Sequence, residues 1–480
     1  MSSCLGRRDV ANKRETRTRS DKLPIVMRAA PPDLPGTQSH DSPLDRALTL
    51  LLADEVEAAL RWSVAVVESD PSSPGALVIT CRLLEELGRT EAAVEGFELA
   101  VRRSIDAGNL PLAVAAIGDL RALGVDVSEH LDQVAVAFCA GSQRLQETET
   151  PPPPLPQHVD EFQPLSPFLT GPALTSKATQ ILHAATRDYD EAVGAELPLV
   201  APLPLFSDLS KEALRALIGA FEMITLPSGR VVIEEGEQGA EAYIVARGAL
   251  EVRRRQTDDD GKAAVVLARL ASGALFGEMA LLSRAPRAAS VVATRPSILL
   301  VAKRDALEAV AEKRPDVGVA LAAHCRRRMV ANLARTSPVL VSVPTDERAK
   351  LVERFETRIF EKGDKLVGEG EEAQGLHLIA SGEVAVVAHE AGEPVVLATL
   401  PAGETVGEVA LVLRRKANAD VLAVHPTVTL FLPRDQFIAL IQDHPAILHG
   451  LYMTAVHRDD EASRALDSAP AAIADDYVLL

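Results

Sequence analysis

The stretch Phe276-Gly277-Glu278-Met279-Ala280-Leu281-Leu282-Ser283-Arg284-Ala285-Pro286-Arg287-Ala288-Ala289-Ser290-Val291 decides how this chain is read. Two opposite charges, Glu278 and Arg287, stand among mostly small or apolar residues. A carboxylate and a guanidinium in such company need each other or a ligand. Gly277, Ala280, Ala288 and Ala289 let another group come close to the backbone. Met279 to Leu282 predicts one short helical turn, whose first amides are unpaired and can hold an anion. Arg287 adds a planar fork of donors that matches a phosphate. Ionised Glu278 only accepts hydrogen bonds, so it suits a sugar hydroxyl.

A phosphate, a hydroxyl and a narrow pocket together describe a cyclic nucleotide. The alternative is an internal Glu278–Arg287 salt bridge in an empty barrel. The stretch resembles the phosphate-binding cassette of the cyclic-nucleotide-binding domain family, which includes regulatory subunits of cAMP-dependent kinase, catabolite-activator regulators and cyclic-nucleotide-gated channels. The resemblance implies that Glu278 binds the ribose 2′-hydroxyl and that Arg287 binds the cyclic phosphate, helped by backbone amides around Ala280 and Ala288. The candidate ligand-binding set is Phe276, Gly277, Glu278, Met279, Ala280, Pro286, Arg287, Ala288, Ala289 and Ser290. Family members that favour cGMP tend to carry Thr after the cassette arginine. Ala288 stands there, so the resemblance points to cAMP, with cGMP the other candidate and cyclic dinucleotides a minor one.

Outward from the cassette, Gly229, Gly236 and Gly248 punctuate strand-like runs at Val231 to Glu234, Ala242 to Val245 and Ala249 to Arg253. Val265 to Leu270 is apolar enough for a buried strand, and Ser290 to Ala293 and Ile298 to Ala302 supply closing strands. Many short strands with glycine turns predict a sandwich or barrel. Leu205 to Phe221 reads as a helical entry, and Arg304 to Glu312 and Asp316 to Arg335 read as helices broken at Pro315. The resemblance implies that the last of these moves when ligand binds. Residues 203–336 form a first binding domain on this reading.

Residues 337–466 repeat the plan. Gly363, Gly370 and Gly382 follow Gly229, Gly236 and Gly248 by 134 positions, and Gly403, Gly407 and Glu408 follow Gly273, Gly277 and Glu278 by 130. A fixed offset over so many glycines marks a duplication. The second cassette keeps Gly407, Glu408 and Ala410 but has Ala417 in the place of Arg287, Lys416 for Pro286 and Asp420 for Ser290. A phosphate there would find no fork of donors and would meet a carboxylate. Losing such a partner costs roughly 2–5 kcal/mol, so the second domain is expected to bind cyclic nucleotide weakly or not at all. Lys416, Arg415 or Arg414 swinging in is the alternative.

Residues 42–147 read as helical. Val56, Leu60, Val64 and Val67 fall at helical spacing, Asp70-Pro71 stops that run, and Gly88 closes a second beginning near Pro74. Trp62, Ala65, Leu87-Gly88, Ala93 and Phe97 resemble the tetratricopeptide repeat family. The resemblance implies stacked helix pairs offering a concave surface to an unidentified protein partner. The alternative is a helical bundle packed on the next domain. Residues 1–41 are expected to form a disordered tail. Residues 148–202 read as a proline-rich linker with one helix over 174–194, and 467–480 as a tail.

The fold class expected is α+β: an N-terminal all-α repeat region, then two β-roll or jelly-roll cyclic-nucleotide-binding domains with flanking helices. The 480 residues suggest about three domains, and with 47% hydrophobic but only 3% aromatic residues the cores must be built from Ala, Val and Leu. A net charge of −18 argues against a sequence-independent grip on nucleic acid, and neither binding domain is followed by room for a helix-turn-helix. Cys4, Cys81, Cys139 and Cys325 lie in no metal spacing. No phosphate-binding loop, HExxH or GxSxG motif stands in the chain. The expectation is therefore a non-enzymatic, cytoplasmic cAMP sensor and adaptor with no cofactor, no DNA and no membrane span. A ligand-independent scaffold, or a regulatory subunit of a separate catalytic protein, are the competing readings. No convincing Arg-Arg-x-Ser/Ala-φ inhibitor segment stands before the first domain, and Arg102-Arg103-Ser104 falls inside an expected helix.

Overall fold

The computed structural model of the chain describes residues 42–145, 162–191, 199–256, 263–282, 286–337, 354–390 and 393–468. The expectations for 1–41 and for the Pro151–Pro154 run lie outside them. The architecture is α+β. Six helices come first: α1 (Pro43–Leu52), α2 (Val56–Ser69), α3 (Pro74–Glu86), α4 (Thr90–Asp106), α5 (Leu110–Ala122) and α6 (Ser128–Phe138). Their boundaries follow local chemistry. Ser42 caps α1 by accepting from the Asp45 N–H at 3.2 Å, and Asn109 caps α5 by accepting from the Leu112 N–H at 3.0 Å. Gly88 and Gly108, at φ +73° and +70°, make the left-handed turns that follow α3 and α4.

Among the described residues, two further α-helices stand between α6 and the first barrel. α7 (Gly171–Glu191) does not lead into that barrel as a linker helix would. It packs on the helical region, burying Leu174, Ala178, Ile181 and Leu182 in the same core as Ala93 and Phe97 of α4. Arg102 and Arg103 stack on Tyr189 at 4.9 and 4.6 Å, and the Arg61 guanidinium donates to the Leu169 carbonyl at 2.9 Å. α8 (Lys211–Ile218) then enters the first barrel.

The first barrel has eight strands: β1 (Glu222–Leu226), β2 (Val231–Ile233), β3 (Glu241–Arg247), β4 (Leu250–Gln256), β5 (Ala263–Leu270), β6 (Leu275–Phe276), β7 (Ser290–Ala293) and β8 (Ser297–Lys303). The short α9 (Met279–Leu282) lies between β6 and β7, and α10 (Arg304–Lys313) and α11 (Pro315–Thr336) close the domain. The second barrel repeats this with β9 (Glu356–Phe360), β10 (Lys365–Val367), β11 (Gly375–Ser381), β12 (Glu383–Glu390), β13 (Glu393–Pro401), β14 (Thr405–Val406), β15 (Asp420–Ala423) and β16 (Thr427–Pro433). Its helices are α12 (Glu408–Val412), α13 (Arg434–Asp443) and α14 (Pro445–Ser468). The sheet orders are β1-β8-β3-β6 and β2-β7-β4-β5 in the first copy, and β9-β16-β11-β14 and β10-β15-β12-β13 in the second. Strand for strand these are the same antiparallel topology.

β3 is buried on both faces, which a sheet strand achieves only when something covers its outside. Tyr243 and Val245 point into the barrel core, while Ala242, Ile244 and Ala246 share one continuous core with α5 of the helical region. Ile298, Leu300 and Ala302 of β8 do the same. Asp45 of α1, 1% exposed, receives the Arg247 guanidinium at 2.7 Å and the Arg295 Nε–H at 2.6 Å. Arg82 of α3 reaches Asp119 at 2.8 Å and the Thr225 hydroxyl of β1 at 3.3 Å. α1, α3 and α5 therefore face the first barrel. The matching outer face of the second barrel, at Leu376, Leu378, Val428, Leu430 and Leu432, is closed by Met329, Val330 and Leu333 of α11 together with Phe437, Leu440, Ile447 and Leu451.

Candidate functional site

Gly277, at φ +74°, turns the chain out of β6, and α9 follows at once. Phe276 is 4% exposed and stacks on Tyr243 at 5.2 Å, which fixes the start of the cassette to β3. Glu278 is 4% exposed and Arg287 is 8% exposed. They are not bonded to each other. The Arg287 guanidinium donates to the Gly277 carbonyl at 2.9 Å and to the Glu241 carbonyl at 2.8 Å, and lies 3.5 Å from the Glu241 carboxylate. Burial lowers its pKa from the usual arginine value, with Tyr243, Glu241 and Glu278 acting in the opposite sense. It remains a cation. Its backbone is tied on both sides: the Arg287 N–H donates to Glu237 O and the Gly236 N–H donates to Arg287 O, each at 2.8 Å.

Glu278 has a partner that the sequence reading missed. Arg328 of α11 donates from Nε to the Glu278 carboxylate at 3.3 Å and from a terminal nitrogen to the Leu275 carbonyl at 3.2 Å. Cys325, one turn earlier on α11, lies with its sulfur 3.8 Å from the Glu278 carbonyl, and burial beside Glu278 pushes its thiol up to about 12. The second copy has the same arrangement. Arg458 of α14 donates to the Glu408 carboxylate at 2.5 Å and to the Thr405 carbonyl at 2.6 Å. Arg458 also holds Glu404 at 2.6 Å, where the first copy has Ala274. Both arginines stand fifty positions after the cassette glutamate, an offset that sequence comparison of the copies carries.

The other candidate residues divide. Met279 packs toward the core of the second barrel, against α11 residues. The Ser290 hydroxyl accepts from the Glu235 N–H at 3.0 Å and so braces the frame. Ala288 is exposed, and Pro286 and Ala289 are half-buried beside Arg287. Ala280 lies in α9. In the second copy Asp420 takes the part of Ser290, accepting from the Glu369 N–H at 2.7 Å and pairing with Lys365 at 2.8 Å. Burial raises its pKa, but the Glu369 N–H and Lys365 outweigh that and hold it below the usual carboxylate value. Asp420 thus points at the frame rather than lying unpaired where a phosphate would sit. Ala417 keeps the backbone bonds of Arg287, to Glu371 at 2.9 Å and from Gly370 at 2.8 Å, without the guanidinium. Among Lys416, Arg415 and Arg414, Arg415 is engaged by Asp459 of α14.

A glycine the sequence reading passed over explains how Arg287 fits. A Cβ on Gly239 would lie 2.6 Å from Arg287 Nε and 2.8 Å from Cζ. The guanidinium occupies the space a side chain would take. The corresponding residue of the second copy, 134 positions on, is Ala373, buried at 6% exposure. By sequence offset, Gly239 with Arg287 in the first copy corresponds to Ala373 with Ala417 in the second.

Residues 223–314 and 357–444 each match the family described as cyclic nucleotide-binding domain. The chain is 32% identical over 237 residues to the cAMP-dependent protein kinase regulatory subunit of Yarrowia lipolytica, covering 49% of this chain and 58% of that protein. It is 28% identical over 246 residues to cGMP-dependent protein kinase 2 of Mus musculus, covering 50% of this chain and 30% of that protein. The crystallised regulatory domain of Toxoplasma gondii PKA with cAMP is 26% identical, covering 53% of this chain and 92% of that one, at a TM-score of 0.27. The chain spans 58% or less of the length of these two curated relatives. Between Met223 and His444, then, this chain carries two cyclic nucleotide-binding domains in tandem and is homologous over that part to regulatory subunits of cAMP-dependent protein kinase.

Proposed function

We propose that the first barrel senses a cyclic nucleotide, cAMP in preference to cGMP, and that α11 converts its occupancy into a change at the second barrel. The observation that carries this is Arg287: a guanidinium at 8% exposure, held by two backbone carbonyls, whose carboxylate partner Glu241 lies 3.5 Å away and is 38% exposed. A buried guanidinium with a single, half-exposed counter-ion and a planar fork of donors favours a ligand that brings a second anion. A ligand hydroxyl accepted by Glu278 would share a carboxylate that Arg328 of α11 already bonds at 3.3 Å. Since Arg328 sits on the helix whose Met329, Val330 and Leu333 enter the second core, ligand and helix position are coupled through one residue. The ligand shifts that equilibrium only by its differential affinity for the two helix positions.

The output we propose is control of a protein partner, in the manner of a regulatory subunit acting on a separate catalytic protein. The relatives named above support the regulatory part. The Arg102-Arg103-Ser104 segment does not serve as an inhibitor sequence, because Ser104 is fully buried and both arginines stack on Tyr189. Calorimetry of the full chain with cAMP and cGMP tests the sensing step. One site, lost on Arg287→Ala, is expected. Absence of heat with either nucleotide leaves the ligand-independent scaffold as the reading.

A further inference from the structure

We propose that His324 is a proton-operated release for α11: acid charges an imidazole lodged in the joint of that helix and loosens it from the first barrel. This holds whatever ligand the first barrel takes. His324 lies on α11 and is 4% exposed, yet neither ring nitrogen has a hydrogen-bond partner. Buried polar groups are normally matched, so a ring with both nitrogens unmatched calls for a reason. By the offset of 130 positions Thr454 stands at this place in the second copy, and its hydroxyl donates to the Gly450 carbonyl at 3.2 Å. Packing of the helix does not by itself demand an imidazole there.

The surroundings of His324 are set against a proton. Arg327 and Arg328 of its own helix repel a charged ring, and Asp208, in the 3-10 turn Phe206–Asp208 ahead of α8, attracts one. Asp208 is already claimed by Arg327 at 2.7 Å, while Arg328 is turned to Glu278 at 3.3 Å. Among the described residues, α8 and α10, also packed against α11, contribute no further charge to the ring, and α9 has none to contribute. Burial first, then Arg328 and Arg327, pull the imidazole down to about 4. Once α11 leaves, the ring meets water and titrates near ~6.5. Docking of the helix is therefore undisturbed above pH ~6.5 and weakens as pH falls toward ~4, by about fourfold at pH 6 and about 30-fold at pH 5. The same helix carries Met329, Val330 and Leu333 into the core of the second barrel, so its release loosens the tie between the barrels.

Cys325, the next residue and fully buried, reports the release. The full chain is labelled with 4,4′-dithiodipyridine at pH 7.5, 6 and 5, and modification of Cys325 is read by peptide mass mapping. Each rate is divided by that of the urea-unfolded chain at the same pH, which leaves the opening equilibrium alone. Cys81, fully buried in the helical region, reports unfolding of the whole chain. The ratio for Cys325 is expected to exceed that for Cys81 and to rise about 25-fold from pH 7.5 to 5. His324→Gln, and His324→Thr as in the second copy, should hold it to within about threefold. The comparison of the two cysteines needs no substitution, so it decides the matter even if both variants misfold. A Cys325 ratio that ignores pH, a rise that Cys81 shares in equal measure, or a rise that survives both substitutions overturns the proposal.

Discussion

Substituting Gly239 by alanine should mimic loss of Arg287 without touching it. The backbone of Gly239 lies outside the left-handed region, so alanine meets no conformational strain there. The added methyl would stand 2.6 Å from Nε and 2.8 Å from Cζ of Arg287, against an ordinary contact of about 3.5–4 Å. The guanidinium must therefore retreat by roughly 1 Å, which breaks its 2.8 and 2.9 Å bonds to the Glu241 and Gly277 carbonyls. Removing one partner of a buried charged pair costs about 2–5 kcal/mol; a displaced guanidinium keeps part of its attraction, so about 2–3 kcal/mol is expected. That is roughly 30- to 150-fold in the dissociation constant for cAMP, measured by calorimetry on the full chain beside a urea melt. The mirror experiment is in the second barrel. Ala417→Arg alone should gain no cAMP binding because the Ala373 methyl blocks it, whereas Ala373→Gly with Ala417→Arg should gain some. Unchanged affinity in Gly239→Ala, or equal gain from Ala417→Arg alone, refutes the steric pairing.

Other outcomes follow from the same structure. Asp45→Ala leaves Arg247 and Arg295 without their shared carboxylate at the junction of α1 and the first barrel, and should lower stability by about 3 kcal/mol in chemical denaturation. Arg328→Ala cuts the link between Glu278 and α11, so cAMP should no longer alter hydrogen exchange along α11; an undiminished change would show that the signal does not pass through Arg328. His324 and His377, both under 5% exposed, are pulled down to about 4, mainly by burial, with Arg328 and Arg327 facing the first and Arg358 the second. Unfolded histidine titrates near ~6.5, so their contribution is complete above that and is lost as pH falls from ~6.5 toward ~4, by at most ~3 kcal/mol each. Urea midpoints at pH 7 and 5 should differ, and His377→Gln should flatten the difference.

Much of this was legible in the residues. The glycine offsets gave the duplication because left-handed turns admit few alternatives: Gly229, Gly236, Gly248, Gly363, Gly370 and Gly382 all have positive φ. Apolar runs located six of the first barrel's described strands to within a few residues; β1 (Glu222–Leu226) and the two-residue β6 (Leu275–Phe276) were not read as strands. The positions of Glu278 and Arg287 inside the barrel follow from the cassette. Three things were not legible. The partnership of Gly239 with Arg287 is made across strands and leaves no local pattern. Docking of α7 on α2 and α4 reverses the linker expectation, because a helix's apolar stripe does not name the surface it will cover. The enclosure of β3 by α5 was hidden for the same reason, since a doubly buried strand looks like any other apolar run.

That enclosure bears on how the molecule is to be handled. Excising the first barrel at about residue 203 would strip α5 from Ala242, Ile244, Ala246, Leu300 and Ala302 and bare an apolar sheet to water. A fragment so cut invites aggregation whatever its messenger affinity. Failure of such a fragment to respond would then indict the scissors and not the pocket.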